Sequence, residues 1–201
     1  MAIPQRQKLY HEMDRVERSE HAFATKESVT QMDLVDVAIA AQVELGIDQY
    51  RMDAKTMKQK ELRDEEHQSA RLAKHLAEHG DPRPNDKCHA HAIVSGFHRN
   101  AATMRAILAR HKVRIDDTFN GCWLPENTAA LAYMPQRLRN AVPHSRIHRF
   151  NYYFWLGSLI NLTKTPTADD LKYTLKTVGW QVQAGAQPDY VMLKKGEGIG
   201  Q

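Results

Sequence analysis

The stretch KCHAHAIVSGFH, residues 87–98, places two histidines at alternating positions of a short predicted β-strand. Successive side chains of a strand point to opposite faces of a sheet. One face then carries His89, His91 and Ile93, and the other carries Cys88, Ala90, Ala92 and Val94. Two imidazoles on one face can bind one metal ion or one phosphate, or they can have no ligand. The surrounding sequence has to distinguish between these possibilities.

Two further motifs follow this strand. Asn120-Gly121 is a turn signal directly before a short apolar strand, residues 122–124. Pro143 favours the start of a helix, and the aromatic-rich helix that it opens carries His144 and His148 one turn apart. Imidazoles at this spacing share a helix face and can bind one ion. The order of the three motifs predicts a ββα-metal arrangement, in which two strands and a helix surround the ion.

Other uses of these residues are open. A closed structural zinc site would leave no coordination position for catalysis, and Cys88, His91, Cys122 and His144 supply the right ligand types for one. Asn120 can also be read as a turn residue with positive φ and no chemical role.

Length and composition favour a cytosolic type of protein. The 201 residues can bury a hydrophobic core, and two cysteines are too few for a secreted disulfide scaffold, which indicates a reducing compartment. No apolar run approaches the roughly 20 residues that span a bilayer, and the first 21 residues lack the apolar core of a signal peptide. We therefore expect a soluble protein without membrane contact, whose export, if any, needs no such signal.

The formal charge of +4 is unevenly distributed. Residues 1–80 carry 12 basic and 15 acidic side chains, whereas residues 81–201 carry 16 and 9. Lys and Arg gain affinity for polyanions by displacing counterions, so the second part of the chain is the candidate for nucleic-acid binding.

Three segments are predicted: a helical N-terminal region over residues 1–80, a ββα-metal domain over residues 81–163, and a C-terminal helix with a flexible tail over residues 164–201. Within the first, residues 29–46 are apolar around most of a helix circumference, which predicts a buried helix that stops at Gly46. A long polar helix should follow and end at Gly80. The predicted fold class is α+β and mostly helical.

Three of these motifs resemble one family. AHAIV from Ala90, NGCWLP from Asn120 and AVPHSRIH from Ala141 look like the AHH nucleases of the HNH/endonuclease VII superfamily, which recur as toxin domains in bacterial polymorphic toxins and type VI secretion effectors. The resemblance covers residues 88–162. It implies a His-Me finger fold and metal-dependent hydrolysis of phosphodiester bonds, foremost in DNA. It also implies that His144 and His148 bind the ion, which can be zinc, magnesium, manganese or nickel, and that Asn120 orients the catalytic loop.

The chain departs from the family motif at Ala92. The motif has two adjacent histidines, commonly read as a metal ligand followed by a general base, but here His91 is followed by alanine. In one reading His91 is the base and His89 replaces the missing ligand. In a second, His91 is a ligand and the base is absent. In a third, the stretch carries an inactivating substitution. We prefer the first reading, because alternation places both imidazoles on one face.

The remaining expectations concern partners. Arg146, Arg149 and Arg99 are candidate phosphate contacts. His98 can be a cap, a phosphate contact or an ordinary exposed residue. We expect the other histidines to have ordinary structural or surface roles; they are His11, His21, His67, His75, His79 and His111. A nuclease would harm its producer, so the resemblance implies an immunity protein as partner. It further implies synthesis in a bacterial cytoplasm and delivery by a secretion system into the cytoplasm of a target cell. The alternatives are an RNase, or a catalytically inactive, metal-stabilised module that binds nucleic acid or protein.

Overall fold

The computed structural model describes Met13, residues 15–194 and Glu197. In these residues the chain forms helices on both sides of one small sheet. The elements are α1 (Arg15–Thr25), α2 (Gln31–Thr56), α3 (Gln59–Arg63), α4 (Ser69–Glu78), β1 (Cys88–Ala92), α5 (Ala102–Arg110), β2 (Gly121–Pro125), α6 (His144–Ile147), α7 (Phe150–Leu159) and α8 (Ala168–Ala184). The predicted flexible tail falls largely on residues 195, 196 and 198–201, which lie outside the described residues. None of the described helices has the length and apolar character needed to cross a membrane.

The sheet consists of β1 and β2 in antiparallel register, with His91 opposite Cys122 and Ala92 opposite Gly121. Helix α4 packs on one face so closely that a Cβ on Gly121 would lie 2.6 Å from Cδ1 of Leu72. Helix α8 packs on the other face, where a Cβ on Gly179 would lie 3.5 Å from that of Cys122. The predicted α+β, mostly helical fold class is therefore confirmed.

One apolar cluster joins the sheet to the helices on both of its faces. It contains Leu72 and Leu76 of α4, the buried strand residues, and Leu171 and Leu175 of α8. Side chains from both sides of residue 80 and of residue 163 thus share one core. The division of the chain at those two positions remains a prediction.

Helix α2 differs from the expectation for residues 29–46. It continues through Gly46 to Thr56, because one glycine costs a helix only about 1 kcal/mol. Among the α2 side chains that the structure describes, the buried ones form a narrow stripe of Ala40, Ile47, Tyr50 and Ala54. Several large apolar side chains are exposed, among them Met32 and Leu45 at 64% each. The prediction of a buried helix that stops at Gly46 is therefore wrong.

The predicted helix through His144 and His148 is also broken. Helix α6 ends at Ile147, His148 has a non-helical ψ of 61°, and α7 begins at Phe150. Tertiary bonds hold the residues at this break: the His148 ring bonds the Tyr153 hydroxyl, and the Arg149 guanidinium donates to the carbonyl of Met192. The two imidazoles nevertheless stay close, with ring centroids 5.2 Å apart.

The Asn120 side chain ties together the loops at one end of the sheet. Its Oδ1 accepts a hydrogen bond from the backbone N–H of Val94, and its Nδ2 donates to the carbonyls of Val94 and Ile115. Asn120 ends a 3₁₀ turn, and Gly121 is extended, so the reading of Asn120 as a positive-φ turn residue is wrong. One amide side chain therefore bonds backbone N–H and carbonyl groups of two buried loops.

Two glycine substitutions test these helix boundaries. Gly185 follows α8 with φ of 69°, and a Cβ there would lie 2.3 Å from the carbonyl oxygen of Asn140. We expect Gly185→Ala to lower the free energy of unfolding by at least about 1–2 kcal/mol. Gly46 has open space around it, so Gly46→Ala should raise the same quantity by about 0.5–1 kcal/mol. Urea unfolding measures both, and a destabilised Gly46→Ala variant would contradict a continuous α2.

The Asn120 amide should be a major contributor to stability. Asn120→Ala leaves three buried backbone groups without their partner, each costing about 1–3 kcal/mol, so we expect a loss of at least about 3 kcal/mol in urea unfolding. The matched control is Asn161→Ala, because the Asn161 side chain also bonds backbone groups, but through bonds that are exposed to solvent. It should cost about 1 kcal/mol or less. Equal losses in the two variants would show that the Asn120 bonds are not specially important.

Candidate metal centre

Three histidines from β1, α6 and the α6–α7 break converge beside the sheet. Backbone hydrogen bonds position α6: Ser145 N–H donates to the carbonyl of Glu126 just after β2, and Val142 N–H donates to the carbonyl of Val182 in α8. As a result, the ring centroid of His91 lies 5.3 Å from that of His144 and 5.2 Å from that of His148. One ring nitrogen from each histidine lies within 4.8 Å of the other two. Three nitrogen ligands at such spacing suit a divalent ion.

The hydrogen bonds of Tyr152 determine which nitrogen of His91 is free. The Tyr152 hydroxyl donates its single proton to the carbonyl of Ile93, 2.9 Å away. The same oxygen lies 3.1 Å from Nε2 of His91 and must therefore accept a proton from it. Nδ1 of His91 then carries a bare lone pair, and this buried atom has no hydrogen-bond partner among the described residues. An orphaned, buried lone pair beside two further imidazoles fits a bound cation.

Tyr153 and His98 support the His148 ring. The Tyr153 hydroxyl lies 2.9 Å from Nδ1 of His148, which leaves Nε2 of that ring as the nitrogen available for a ligand bond. The ring of His98 stacks on Tyr153, with centroids 4.1 Å apart and planes 13° apart. His98 also caps a 3₁₀ turn by accepting a bond from Asn100 N–H, so its prediction as a cap is confirmed.

The surroundings of the three imidazoles disfavour their protonated form. Burial lowers the pKa of His91 well below its ordinary value, and the charges of His148, His144 and His67 act in the same direction. Burial, followed by the charges of His148, His89 and His67, lowers the pKa of His144 to about 4. Desolvation and the charges of His98 and His67 lower the pKa of His148. Neutral imidazoles keep lone pairs for a cation, whereas protonated ones would repel it.

His89 lies beside this trio rather than within it. Its ring contacts that of His144 edge to face at 5.4 Å, and its Nε2 lies 3.8 Å from a carboxylate oxygen of Glu126. Its side chain is about half exposed and faces a cavity of about 330 Å³ that His144 and Arg83 also line. The assignment of His91 as base and His89 as ligand remains a prediction, but the geometry gathers His91 with His144 and His148.

The cysteines do not join the histidines. Cys88 is buried on the opposite face of the sheet, where its Sγ lies 3.3 Å from Sδ of Met134. Burial raises the pKa of the Cys122 thiol, which disfavours the thiolate that a metal requires. Among the described residues, the trio is the single group of metal-ligating side chains, so the structure does not support a closed Cys/His zinc site.

The three arginines chosen from the sequence have different surroundings. Arg146 and Arg99 are exposed, the first on α6 and the second directly after His98. Arg149 is half-buried, and its Nη1 donates to the carbonyl of Met192 at 2.6 Å, so part of its guanidinium is already engaged. Their role in nucleic-acid binding remains a prediction.

Two residues of the centre, Tyr152 and Tyr153, are not identified by the sequence patterns. Both tyrosines follow His148 by about one helical turn. This spacing indicates hydroxyl groups that orient the His148 ring only if His148 has already been assigned as a metal ligand.

Comparison with known families agrees with this geometry. A family model described as "a nuclease family of the HNH/ENDO VII superfamily with conserved AHH" matches residues 72–180, more than half of the chain. Searches of curated proteins and of solved structures found no match. Strands β1 and β2, with His144 and His148 beside them, form the ββα core that the family implies. The chain therefore belongs to the AHH nuclease family of the HNH/endonuclease VII superfamily.

Proposed function

We propose that this nuclease is an endonuclease that hydrolyses DNA with a divalent ion bound by His91, His144 and His148. The observation that carries the proposal is the orphaned, buried Nδ1 of His91, whose ring lies beside those of His144 and His148. In a family of nucleases, a ligand trio of this kind supports metal-dependent cleavage of phosphodiester bonds.

The proposal assigns His91 as a ligand, which is the second of the readings considered from the sequence. Tyr152 and Tyr153 hold the rings of His91 and His148, so the ligand nitrogens are oriented before an ion arrives. A bound ion would polarise a phosphate oxygen and neutralise the charge that develops on the departing oxygen. Asn120 keeps the end of β1 in place through its bonds to Val94.

The substrate surface would lie around the cavity next to His144. Arg83 lines this cavity together with His89, and Arg146 is exposed on the helix that carries His144. Positive side chains around a metal centre favour a polyanionic backbone. The cavity is too small to enclose a duplex, so it would receive one phosphate and its sugar while the remaining DNA stays outside.

We extend the proposal to an antibacterial effector role, because the sequence resembles nuclease domains of bacterial toxins. The producing cell would then need an immunity protein that blocks the nuclease. The protein would be made in the producer's cytoplasm and delivered by a secretion system into that of a target bacterium. Expression of the wild type and of His148→Ala in a bacterial cytoplasm tests this role: only the wild type should degrade chromosomal DNA and stop growth.

A second candidate is a metal-stabilised module without catalysis. The observation that favours it is Ala92, which stands where the family motif has its second histidine. Such a protein would bind an ion and nucleic acid but cleave neither DNA nor RNA.

Plasmid cleavage decides between the two functions. We expect the purified protein to nick supercoiled DNA with magnesium, manganese, nickel or zinc, and to lose this activity with a chelator. His148→Ala removes a ligand nitrogen and should reduce the rate at least about 100-fold. The control is His111→Ala, because Nε2 of His111 bonds the carbonyl of Thr165 instead. Ion binding without nicking would favour the second candidate, and cleavage of RNA alone would correct the substrate.

Loss of the Tyr152 hydroxyl should weaken the metal site directly. Tyr152→Phe leaves Nε2–H of His91 without its acceptor and no longer favours a free Nδ1. We expect zinc affinity, measured by calorimetry, to fall about 10–100-fold. Tyr173→Phe removes a hydroxyl from a 76% exposed tyrosine and should leave the affinity unchanged. Unchanged affinity in Tyr152→Phe would argue that His91 Nδ1 is not a ligand atom.

A further inference from the structure

Ala92 raises the question of which group activates water in this nuclease. The Ala92 side chain is 3% exposed on the face of the sheet that α4 covers. Gly121 lies directly opposite, and even a Cβ there would lie 2.6 Å from Cδ1 of Leu72. Helix α4 therefore occupies the space in which a second strand histidine would have to fit.

Another histidine packs against the loop that follows β1. His67 lies in the loop before α4, and its Cβ would be 2.6 Å from a Cβ on Gly96, in the loop just after β1. Its Nδ1 bonds a carboxylate oxygen of Asp116. Asp116 follows Ile115, whose carbonyl is bound by Asn120, so the amide that holds the end of β1 also holds the partner of His67.

Asp116 is a buried carboxylate that is fully engaged. One oxygen faces His67, and the other accepts bonds from the N–H of Gln68 at 3.0 Å and from Nε of Arg71 at 2.7 Å. Burial alone would raise the pKa of Asp116, but the bonds from His67 and Gln68 and the charges of His67 and Arg71 lower it overall. An ionised carboxylate on Nδ1 keeps a proton there and leaves Nε2 with a lone pair.

Ser69 connects Nε2 of His67 to the cavity next to the candidate metal centre. The exposed hydroxyl of Ser69 lies 3.3 Å from this nitrogen, and Ser69 lines the cavity that His144 and His89 also line.

We propose that His67 is the general base of this nuclease and that Asp116 is its positioning residue. His67 takes the role of the second strand histidine of the family motif, at whose position this chain has Ala92. This inference rests on the proposed function. Nε2 of His67 takes a proton from the attacking water as the oxygen forms a bond to phosphorus. The bond from phosphorus to the 3′ oxygen breaks, and that oxygen leaves with the electron pair and takes a proton from solvent. His67 then returns its proton to solvent.

The experiment compares the wild type, His67→Ala and His79→Ala for plasmid nicking and zinc affinity. A general base typically contributes 10²–10⁴-fold, so we expect His67→Ala to nick at least about 100-fold more slowly. Its zinc affinity should stay within about threefold of the wild type, since His67 is not a ligand. Added imidazole should restore part of the lost rate. His79→Ala is the matched control, because the His79 side chain is also 20% exposed and its Nδ1 bonds Glu44; it should behave like the wild type.

A second readout does not depend on activity. In the zinc-loaded wild type at mildly alkaline pH, long-range ¹H–¹⁵N NMR of the imidazoles should show His67 with its proton on Nδ1 and with Nε2 bare. A proton on Nε2 would overturn the assignment, because the atom that must accept the proton would already hold one.

The outcomes separate the two proposals. If the wild type and His67→Ala nick equally well, His67 is not the base, while the nuclease function stands. If His67→Ala loses zinc affinity together with activity, His67 supports the metal site and the assignment is wrong. If the wild type binds zinc but cleaves nothing with any of the four metals, the proposed function fails and the base assignment fails with it.

Discussion

The Asn120 amide is the constraint on which the rest of this structure depends. A two-stranded sheet is at best marginally stable on its own, and this one has five residues in each strand. Its catalytic end is closed by three hydrogen bonds from one buried side chain to Val94 and Ile115. Those bonds determine where β1 ends, and thereby where His91 points. Because Asp116 follows Ile115, the same bonds also determine where His67 is held.

The candidate metal centre has the opposite character, because its three imidazoles oppose one another's protonation. Three imidazoles within a few ångströms are mutually repulsive when charged, and burial makes their protonation more costly still. In neutral form they leave at least one buried lone pair unpaired. The unpaired lone pair lowers the stability of the fold. Nearby, the hydroxyls of Tyr152 and Tyr153 bond the other ring nitrogens, Nε2 of His91 and Nδ1 of His148. Stability lost at a site of this kind is characteristic of a binding function.

The sequence predicts the elements of the core well and their contacts less well. Alternation over residues 88–94 and the turn-like residues before Cys122 locate both strands, because those signals are local. The break at His148 depends on the bond between the His148 ring and Tyr153 and on the bond from Arg149 to Met192. The exposure of α2 depends on which helices pack against it. The pairing of His67 with Asp116 joins residues 49 positions apart and has no local signature. Single-sequence patterns report on periodicity within one element, whereas each of these features arises between elements.

The packing of α4 explains why loss of the second strand histidine need not end catalysis. Helix α4 lies against the face to which Ala92 points, so a second strand histidine would have little space there. A strand histidine would be positioned by its own backbone, whereas His67 lies in a loop and needs a separate anchor. The buried Asp116 carboxylate supplies that anchor, and its negative charge is in turn balanced by Arg71 and by the N–H of Gln68. Helix α4, which precedes residue 80, contributes Leu72 and Leu76 to the apolar cluster of the sheet. If His67 is the base, this part of the chain and the sheet have to fold together before water can be activated.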